Sequence, residues 1–208
     1  MMAMRVAGLI LAGGRSTRMG GTDKTLMPLA GRPMVGRVLD RLAPQASPVA
    51  INTNGNPADF AAFGCEIVAD TISGFQGPLA GILAGLEWAS GIQGTTHLLS
   101  VAGDTPFFPP DLGAQLAAGS SGARIAVAAS SGRVHPTFAL WPIPLRDRLE
   151  GFLAGRETRR VMTFMEEAGM DVVEFQAEMS GGVGRDPFFN INTPEDLADA
   201  ERRLEDMQ

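Results

Sequence analysis

Along this chain, short apolar runs that stop at Gly, Asp or Asn alternate with longer amphipathic segments. Runs of the first kind predict buried strands, and segments of the second kind predict helices packed across them. Strands are expected at Val6–Leu11, Val49–Asn54, Glu66–Asp70, His97–Asp104, Arg124–Ser130, Pro136–Trp141, Val172–Phe175 and Phe188–Ile191. Helices are expected at Pro33–Ala43, Pro57–Phe63, Leu79–Ala89, Pro110–Ala118, Pro144–Leu153, Arg159–Glu167 and Thr193–Met207. Pro33 falls in a first turn, where a missing N–H costs nothing. Thr193 reads as the N-cap of the last helix, with Pro194 at its first position and acids in the first turn. Residues 124–130 and 136–141 flank a Ser-Gly turn and read as a hairpin or an edge feature, while the glycine-rich stretch 180–184 reads as a loop.

Strands separated by helices indicate an α/β fold with a mostly parallel sheet covered on both faces. No repeat, low-complexity tract or long linker divides the sequence, so residues 1–208 are expected to form a single domain. In open sheets of this kind, ligands collect beyond the carboxyl ends of the strands. Those ends carry Gly13 and Gly14, Asn52, Asp70 and Asp104.

Composition narrows the ligand. The net charge of −6 and a pI near 4.9 argue against nucleic acid, which needs a broad basic face. A small anion in one local basic pocket remains compatible. A single cysteine, Cys65, excludes an intramolecular disulfide framework and fits a reducing, cytoplasmic setting. No apolar run reaches the ~18 residues of a membrane span. The start, "MMAMRVAGLILAGG", is short and apolar like a signal peptide, but cleavage there would destroy the glycine loop, so it reads as a first strand.

That loop, "LAGGRSTRMGGTDK" (11–24), gathers glycines, Arg15, Arg18 and Lys24 directly after an apolar strand. Glycines let the backbone approach an anion closely, and successive N–H groups can converge on phosphate oxygens. The spacing fits neither a Walker A loop, since Lys24 follows Asp23, nor a G-x-G-x-x-G dinucleotide fingerprint. An ordinary glycine-rich turn with solvated cations is the competing reading. Asp104 in "SVAGDTPFF" has the position of a Mg²⁺ ligand, because magnesium uses one or two carboxylates and keeps several waters; it also reads as a turn cap. Asn52 and Asp70 read either as hydrogen-bonding groups for a ribose or base or as turn formers. "FQGPLAG" (75–81) brings Gly77 and Pro78 to a helix start whose N–H groups can meet an anion.

His135 in "VHPTFALW" reads as a strand-end hydrogen-bonding residue ahead of a catalytic base, and His97 as structural. Two distant histidines and one cysteine do not make a zinc site. No nucleophile elbow is present, so a covalent enzyme intermediate is not expected. Arg156, Arg159 and Arg160 gather at a predicted helix start, the unfavourable end for cations, which leaves either an anion or a solvated face to explain them.

Read in order, "LAGGRSTRMGGTDK", "GPLAG", "DTPF", "HPTFAL", "RRVM" and "NINTPEDL" closely resemble the molybdenum cofactor guanylyltransferase family, from about residue 6 to residue 200. The opening motif is shared with a wider nucleotidyltransferase superfamily; its combination with the later motifs is more selective. The resemblance implies a Rossmann-like sheet with one antiparallel strand, GTP and Mo-molybdopterin as substrates, and Mg²⁺ as cofactor. It implies GMP transfer to the terminal phosphate of the pterin, with pyrophosphate released. It further implies transient contacts with other cofactor-biosynthesis or molybdoenzyme-delivery proteins.

On this resemblance the nucleotide side comprises Leu11, Ala12, Gly13, Gly14, Arg15, Lys24, Asn52, Asp70, Gly77 and Asp104. Lys24, Arg18 and Asp104 are the expected catalytic residues, and Asp104 also holds the metal. The pterin side comprises Pro78, His135, Arg159, Asn190 and Asn192, with the N-terminal half expected to bind GTP and the C-terminal half the pterin. Nothing carries over to "QAEMSGGVGRDPF" (176–188). Two other functions are weighed: CMP transfer from CTP to the same pterin, and non-catalytic carriage of the cofactor. Related cytidylyltransferases read "LAAG" where this chain has "LAGG", which points to Gly13 as a base-choice position.

Overall fold

The computed structural model describes residues 4–13, 23–72, 77–155, 160–180 and 183–206. Its centre is a seven-stranded sheet in the order β5-β4-β1-β6-β8-β7-β9. The strands are β1 (Val6–Leu11), β4 (Val49–Asn52), β5 (Glu66–Val68), β6 (His97–Ala102), β7 (Ile125–Ser130), β8 (Arg133–Pro142) and β9 (Met170–Phe175). All neighbours run parallel except β8, which is antiparallel to both β6 and β7. Two short ribbons lie outside this sheet, β2 (Pro28–Leu29) with β3 (Arg32–Pro33) and β10 (Glu178–Ser180) with β11 (Val183–Arg185).

Helices α1 (Met34–Leu42) and α3 (Leu112–Gly119) cover one face; α2 (Pro78–Ser90), α4 (Arg146–Gly155) and α5 (Val161–Ala168) cover the other. Every residue of β6 and β7 is buried, as a sheet covered on both faces requires. The helix over the middle of the sheet, α2, is apolar nearly all round. Gly81 and Gly85, one turn apart, face the strands, where a Cβ on Gly85 would lie 2.4 Å from Leu9 Cδ2 and 3.0 Å from Leu98 Cδ2. Those glycines bring the helix close to the strand ends.

A smaller apolar cluster stands beside the sheet: Leu29, Met34, Phe107, Ile191 and Ala200. It holds the last helix, α6 (Pro194–Glu205), and the segment leading into it. Arg203 is buried here, its guanidinium 4.2 Å from the Phe107 ring centroid and its Nη1 donating to the Asp186 carbonyl at 2.9 Å.

The expected elements are present with three corrections. The 124–141 hairpin is interior and not an edge, because β8 inserts between β6 and β7. Its turn is Ser131-Gly132 with φ of 50° and 76°, matching the right-handed twist of the flanking strands. Part of 180–184 extends into the β10–β11 ribbon where a loop is expected. Phe188–Ile191 is not a strand, because its backbone donors serve a turn and a loop: Phe188 N–H donates to Asp186 Oδ1, Phe189 N–H to the Asp186 carbonyl and Ile191 N–H to the Asp104 carbonyl. Smaller differences lie at boundaries: β4, β5 and β6 each end two residues before the expected polar terminus, leaving Asn54, Asp70 and Asp104 in the loops beyond.

Since Leu9 and Leu98 are fully buried, Gly85→Ala has no space to fill without displacing core side chains. The expected loss is ~1–3 kcal/mol of unfolding free energy, read from urea denaturation.

Candidate active site

The parallel strand ends meet along one rim. Ala12 N–H donates to the Asn52 carbonyl at 2.8 Å, and Gly103 N–H donates to the Leu11 carbonyl at 3.0 Å, so the chain beyond β1, β4 and β6 stays in step. Leu11 is half-buried, Ala12 is buried and Gly13 is exposed. A Cβ on Gly103 would sit 3.0 Å from Thr25 Cγ2 and 3.2 Å from the Leu11 carbonyl oxygen, so glycine lets the next residue, Asp104, turn onto the rim.

At the β4–β5 end, side chains hold one another. Asn52 Nδ2 donates to the Val68 carbonyl at 3.0 Å and to Asp70 Oδ1 at 2.9 Å. Asn54 grips the same aspartate twice: Nδ2 donates to Asp70 Oδ2 at 2.7 Å, and Asp70 N–H donates to Asn54 Oδ1 at 3.0 Å. The Asn52 amide occupies the space that a side chain on Gly81 would take, since a Cβ there would lie 2.2 Å from Asn52 Oδ1. This end of the rim therefore presents a fixed carboxylate and amide beside the start of α2, with Gly77 at the N-cap and Pro78 at the first helical position, both exposed.

Lys24 is the centre of the arrangement. Asp23 Oδ1 accepts from Thr25 N–H at 2.9 Å and from Thr25 Oγ1 at 2.8 Å, a local turn that buries Thr25 and aims the preceding lysine at the rim. The ammonium makes an ion pair with Asp104 and donates to Asn192 Oδ1 at 2.6 Å. The Lys24 and Asp104 side chains are only 20% and 13% exposed, so each needs the other's charge. Asp104 also accepts through its carbonyl from Ile191 N–H at 3.0 Å, which anchors the Asn190–Asn192 segment.

Beyond that segment, the capping box is complete. Thr193 Oγ1 accepts from Asp196 N–H, while Asp196 Oδ2 accepts from Asn192 N–H at 2.8 Å and Thr193 N–H at 2.9 Å. The Asn192 N–H, and then those of Thr193 with the Lys24 charge, hold the Asp196 carboxyl below its usual range against the opposing effect of burial.

Of the residues expected at the site, Leu11, Gly13, Lys24, Asn52, Asp70, Gly77 and Asp104 lie on this rim, with Asn192 drawn in by Lys24. Asn190 is exposed on the same anchored segment. His135 is 8% exposed, with Nε2 2.7 Å from Ser130 Oγ. Gly14, Arg15, Arg18 and Arg159 fall outside the described residues. His97 opens β6 with Nδ1 2.9 Å from Thr96 Oγ1, and burial lowers its pKa. Residues that sequence reasoning did not assign are Asn54, Asp23, Ser130, Asp186 and Asp196. Asn54 had a signal, two positions after Asn52 in "INTN"; Ser130 and Asp186 had none.

A MobA-like NTP transferase domain model matches residues 8–170. The chain is 50% identical over 208 residues to the molybdenum cofactor guanylyltransferase of Mesorhizobium japonicum, covering 99% of each protein. It is 48% identical to the protein of that name from a Bradyrhizobium strain, covering 95% of this chain and 92% of the other. The chain belongs to the molybdenum cofactor guanylyltransferase family. Among solved structures, molybdopterin-guanine dinucleotide biosynthesis protein A from Archaeoglobus fulgidus shares the fold with a TM-score of 0.71, at 24% identity over 97% of this chain and 99% of the other.

In this family member, the capping aspartate links α6 to pH. A carboxyl depressed in the folded state contributes stability above its unfolded pKa, about 3.9, and loses it as pH falls through the folded value. Wild-type stability is therefore expected to drop below about pH 4, and Asp196→Ala to lack this share of the drop. At neutral pH that variant should lose ~1 kcal/mol, the usual worth of a cap. Denaturant titrations at both pH values measure each.

Proposed function

We propose that this protein transfers GMP from GTP to the terminal phosphate of Mo-molybdopterin, giving the guanine dinucleotide form and pyrophosphate. The observation that carries the reading is the convergence of Lys24, Asp104 and Asn192 at the rim, between the strand-end groups and the Asn190–Asn192 segment. The guanylyltransferase names of its relatives support the choice of nucleotide and acceptor.

An oxygen of the acceptor phosphate attacks the α-phosphorus of GTP, and the bond from that phosphorus to the bridging oxygen breaks, so pyrophosphate leaves with the electron pair. The attacking phosphate is already anionic near neutral pH, so the site needs positioning and charge neutralisation ahead of a strong base. Lys24 neutralises charge on the phosphates, exchanging its present carboxylate partner for them. Asn52 and Asp70, locked by Asn54, orient the nucleoside, and the exposed backbone at Gly13 lets the base approach. Arg15 and Arg18 belong to this proposal through the loop motif alone, as steadying charges for the leaving group. Pro78, Arg159, Asn190 and Asn192 form the pterin side, so the two halves of one domain divide nucleotide from acceptor.

Magnesium fits this donor set. Among the described residues no group of three or more His, Cys, Asp or Glu side chains could form a complete protein cage. Asp104 instead offers a single carboxylate, the kind of site that holds Mg²⁺ together with substrate phosphates and water. When bound there, the ion supplies Lewis-acid neutralisation of phosphate charge. The reading places the reaction in the cytoplasm, with transient delivery partners for the product. No helix among the described residues is long and apolar enough to cross a membrane.

Two expectations follow from the charges and from the base. Asp104→Ala and Lys24→Ala should each lower kcat by ~10²-fold or more in a pyrophosphate-release assay with GTP, molybdopterin and magnesium. Near-normal turnover of either would reduce that residue to a turn or surface role.

Competing GTP against CTP, with the dinucleotide identified by mass, should give the guanine product in large excess. A site that hydrogen-bonds the base can discriminate by up to ~10⁴-fold. Gly13→Ala should reduce that preference through GTP binding while leaving the fold intact, since among the described residues its Cβ would meet only Asn52 Oδ1, at an ordinary 3.7 Å. A mainly cytosine product from the unmodified protein would overturn the guanylyl reading, and binding without pyrophosphate release would leave a carrier.

A further inference from the structure

The nucleotide machinery leaves one buried polar cluster unused. Ser130, the last residue of β7, is 3% exposed and His135 on β8 is 8% exposed. A bulge makes their meeting possible: Val127 pairs with Ala139, but the next residue, Ala128, pairs with His135. The slack falls at 136–138, beginning with Pro136, which has no N–H to lose from the ladder. His135 thereby points along the same face as Ser130, and Nε2 comes 2.7 Å from Oγ.

Direction is set by the third member. Ser130 Oγ donates to Asp186 Oδ1 at 2.9 Å, and the same oxygen accepts Phe188 N–H at 2.9 Å. A hydroxyl has one proton, so the imidazole must donate from Nε2, giving the order His135 to Ser130 to Asp186. This is not the hydrolytic arrangement. There the histidine takes the serine proton, whereas here the proton is committed to the carboxylate and the serine is shielded from solvent. Burial lowers the His135 pKa against the opposing pull of Asp186, consistent with a neutral ring.

The chain of bonds ends on the segment that carries the two asparagines. Phe188 stacks on the His135 ring with centroids 4.5 Å apart and wedges between Phe138 and Phe175. Three residues on, Ile191 N–H is fixed to the Asp104 carbonyl, and Asn192 reaches Lys24. We propose that His135, Ser130 and Asp186 are positioning residues that fix residues 186–192, so that Asn190 and Asn192 face the acceptor in one register. The inference rests on the proposed transfer reaction for its kinetic consequence, but its structural consequence does not. Buried hydroxyl and imidazole groups would be replaceable by apolar packing if only stability were at stake. Their direct bond to the loop is what an apolar pair would lack.

The test uses the full-length protein with Ser130→Ala, which removes the bridge, and Asp186→Asn, which keeps an oxygen acceptor for both donors. Hydrogen exchange followed by mass spectrometry should show faster exchange in 186–192 for Ser130→Ala and wild-type protection for Asp186→Asn. With GTP and molybdopterin, Ser130→Ala should lose ~10-fold or more in kcat/KM for the pterin, since small misplacements at a reacting centre are costly. Its GTP dissociation constant should stay within about threefold, because the strand-end contacts are untouched, and Asp186→Asn should behave as wild type. Unchanged exchange in 186–192, or a parallel loss of GTP binding and pterin kinetics, overturns the positioning role. Failure of the wild type to form any dinucleotide overturns the proposed reaction instead, and the exchange result still decides the relay.

Discussion

The Lys24 ammonium has to be neutralised at a place where little water reaches it, and the way the protein does this organises the site. Asp104 provides the charge and Asn192, 168 residues away in sequence, provides the second oxygen. A lysine and an aspartate this shielded are each costly alone, so the pair holds the loop after β1 against the end of β6. It also keeps a cation where the proposed reaction needs one for its phosphates. The whole chain's net charge of −6 makes that local cation more selective, because extended polyanions meet repulsion elsewhere.

The rim on which this pair sits follows from sheet architecture. Parallel strands need helices on both faces, and the helix N-termini and strand C-termini then open toward the same edge. What is particular to this chain is how close α2 comes. Gly81 leaves room for the Asn52 amide and Gly85 for two leucines, so the helix start and the Asn52–Asp70 clamp lie side by side. A bulkier helix face would hold the Asn52–Asp70 clamp apart from the start of α2.

The strand-end rim was largely legible in the sequence because its physics is local. A buried parallel strand is an unbroken apolar run, its end is a glycine or an acid, and Asp70 and Asp104 could be placed on one rim from that alone. The 186–192 segment was not, because its residues are set by contacts between distant segments. Phe188 and Ile191 read as a strand since both are apolar, but one packs against His135 and the other against Phe107 and Ala200. Nothing in "VHPTFALW" announces that a bulge turns His135 toward Ser130, and the hairpin's place inside the sheet depends on β8 pairing with β6, a choice no local pattern encodes. Asp186 lies in a segment whose glycines conceal that it ends a ribbon.

Lys24 and the asparagine segment are joined through Asp104. Its carboxylate faces Lys24, while its carbonyl holds Ile191 and with it the Asn190–Asn192 segment. Two residues before Asp104 the fully buried strand β6 ends, and Gly103 N–H is held by the Leu11 carbonyl, so Asp104 leaves the sheet from a fixed point. In the proposed reaction an incoming phosphate competes with the Asp104 carboxylate for the Lys24 ammonium, while the Asp104 carbonyl stays bonded to the asparagine segment. Released from Asp104, the ammonium keeps its bond to Asn192 or gives it up to a phosphate. Charge that in the proposed reaction engages Lys24 or Asp104 acts on groups bonded to Asn192 and Ile191, so the cation and the asparagine segment do not respond independently.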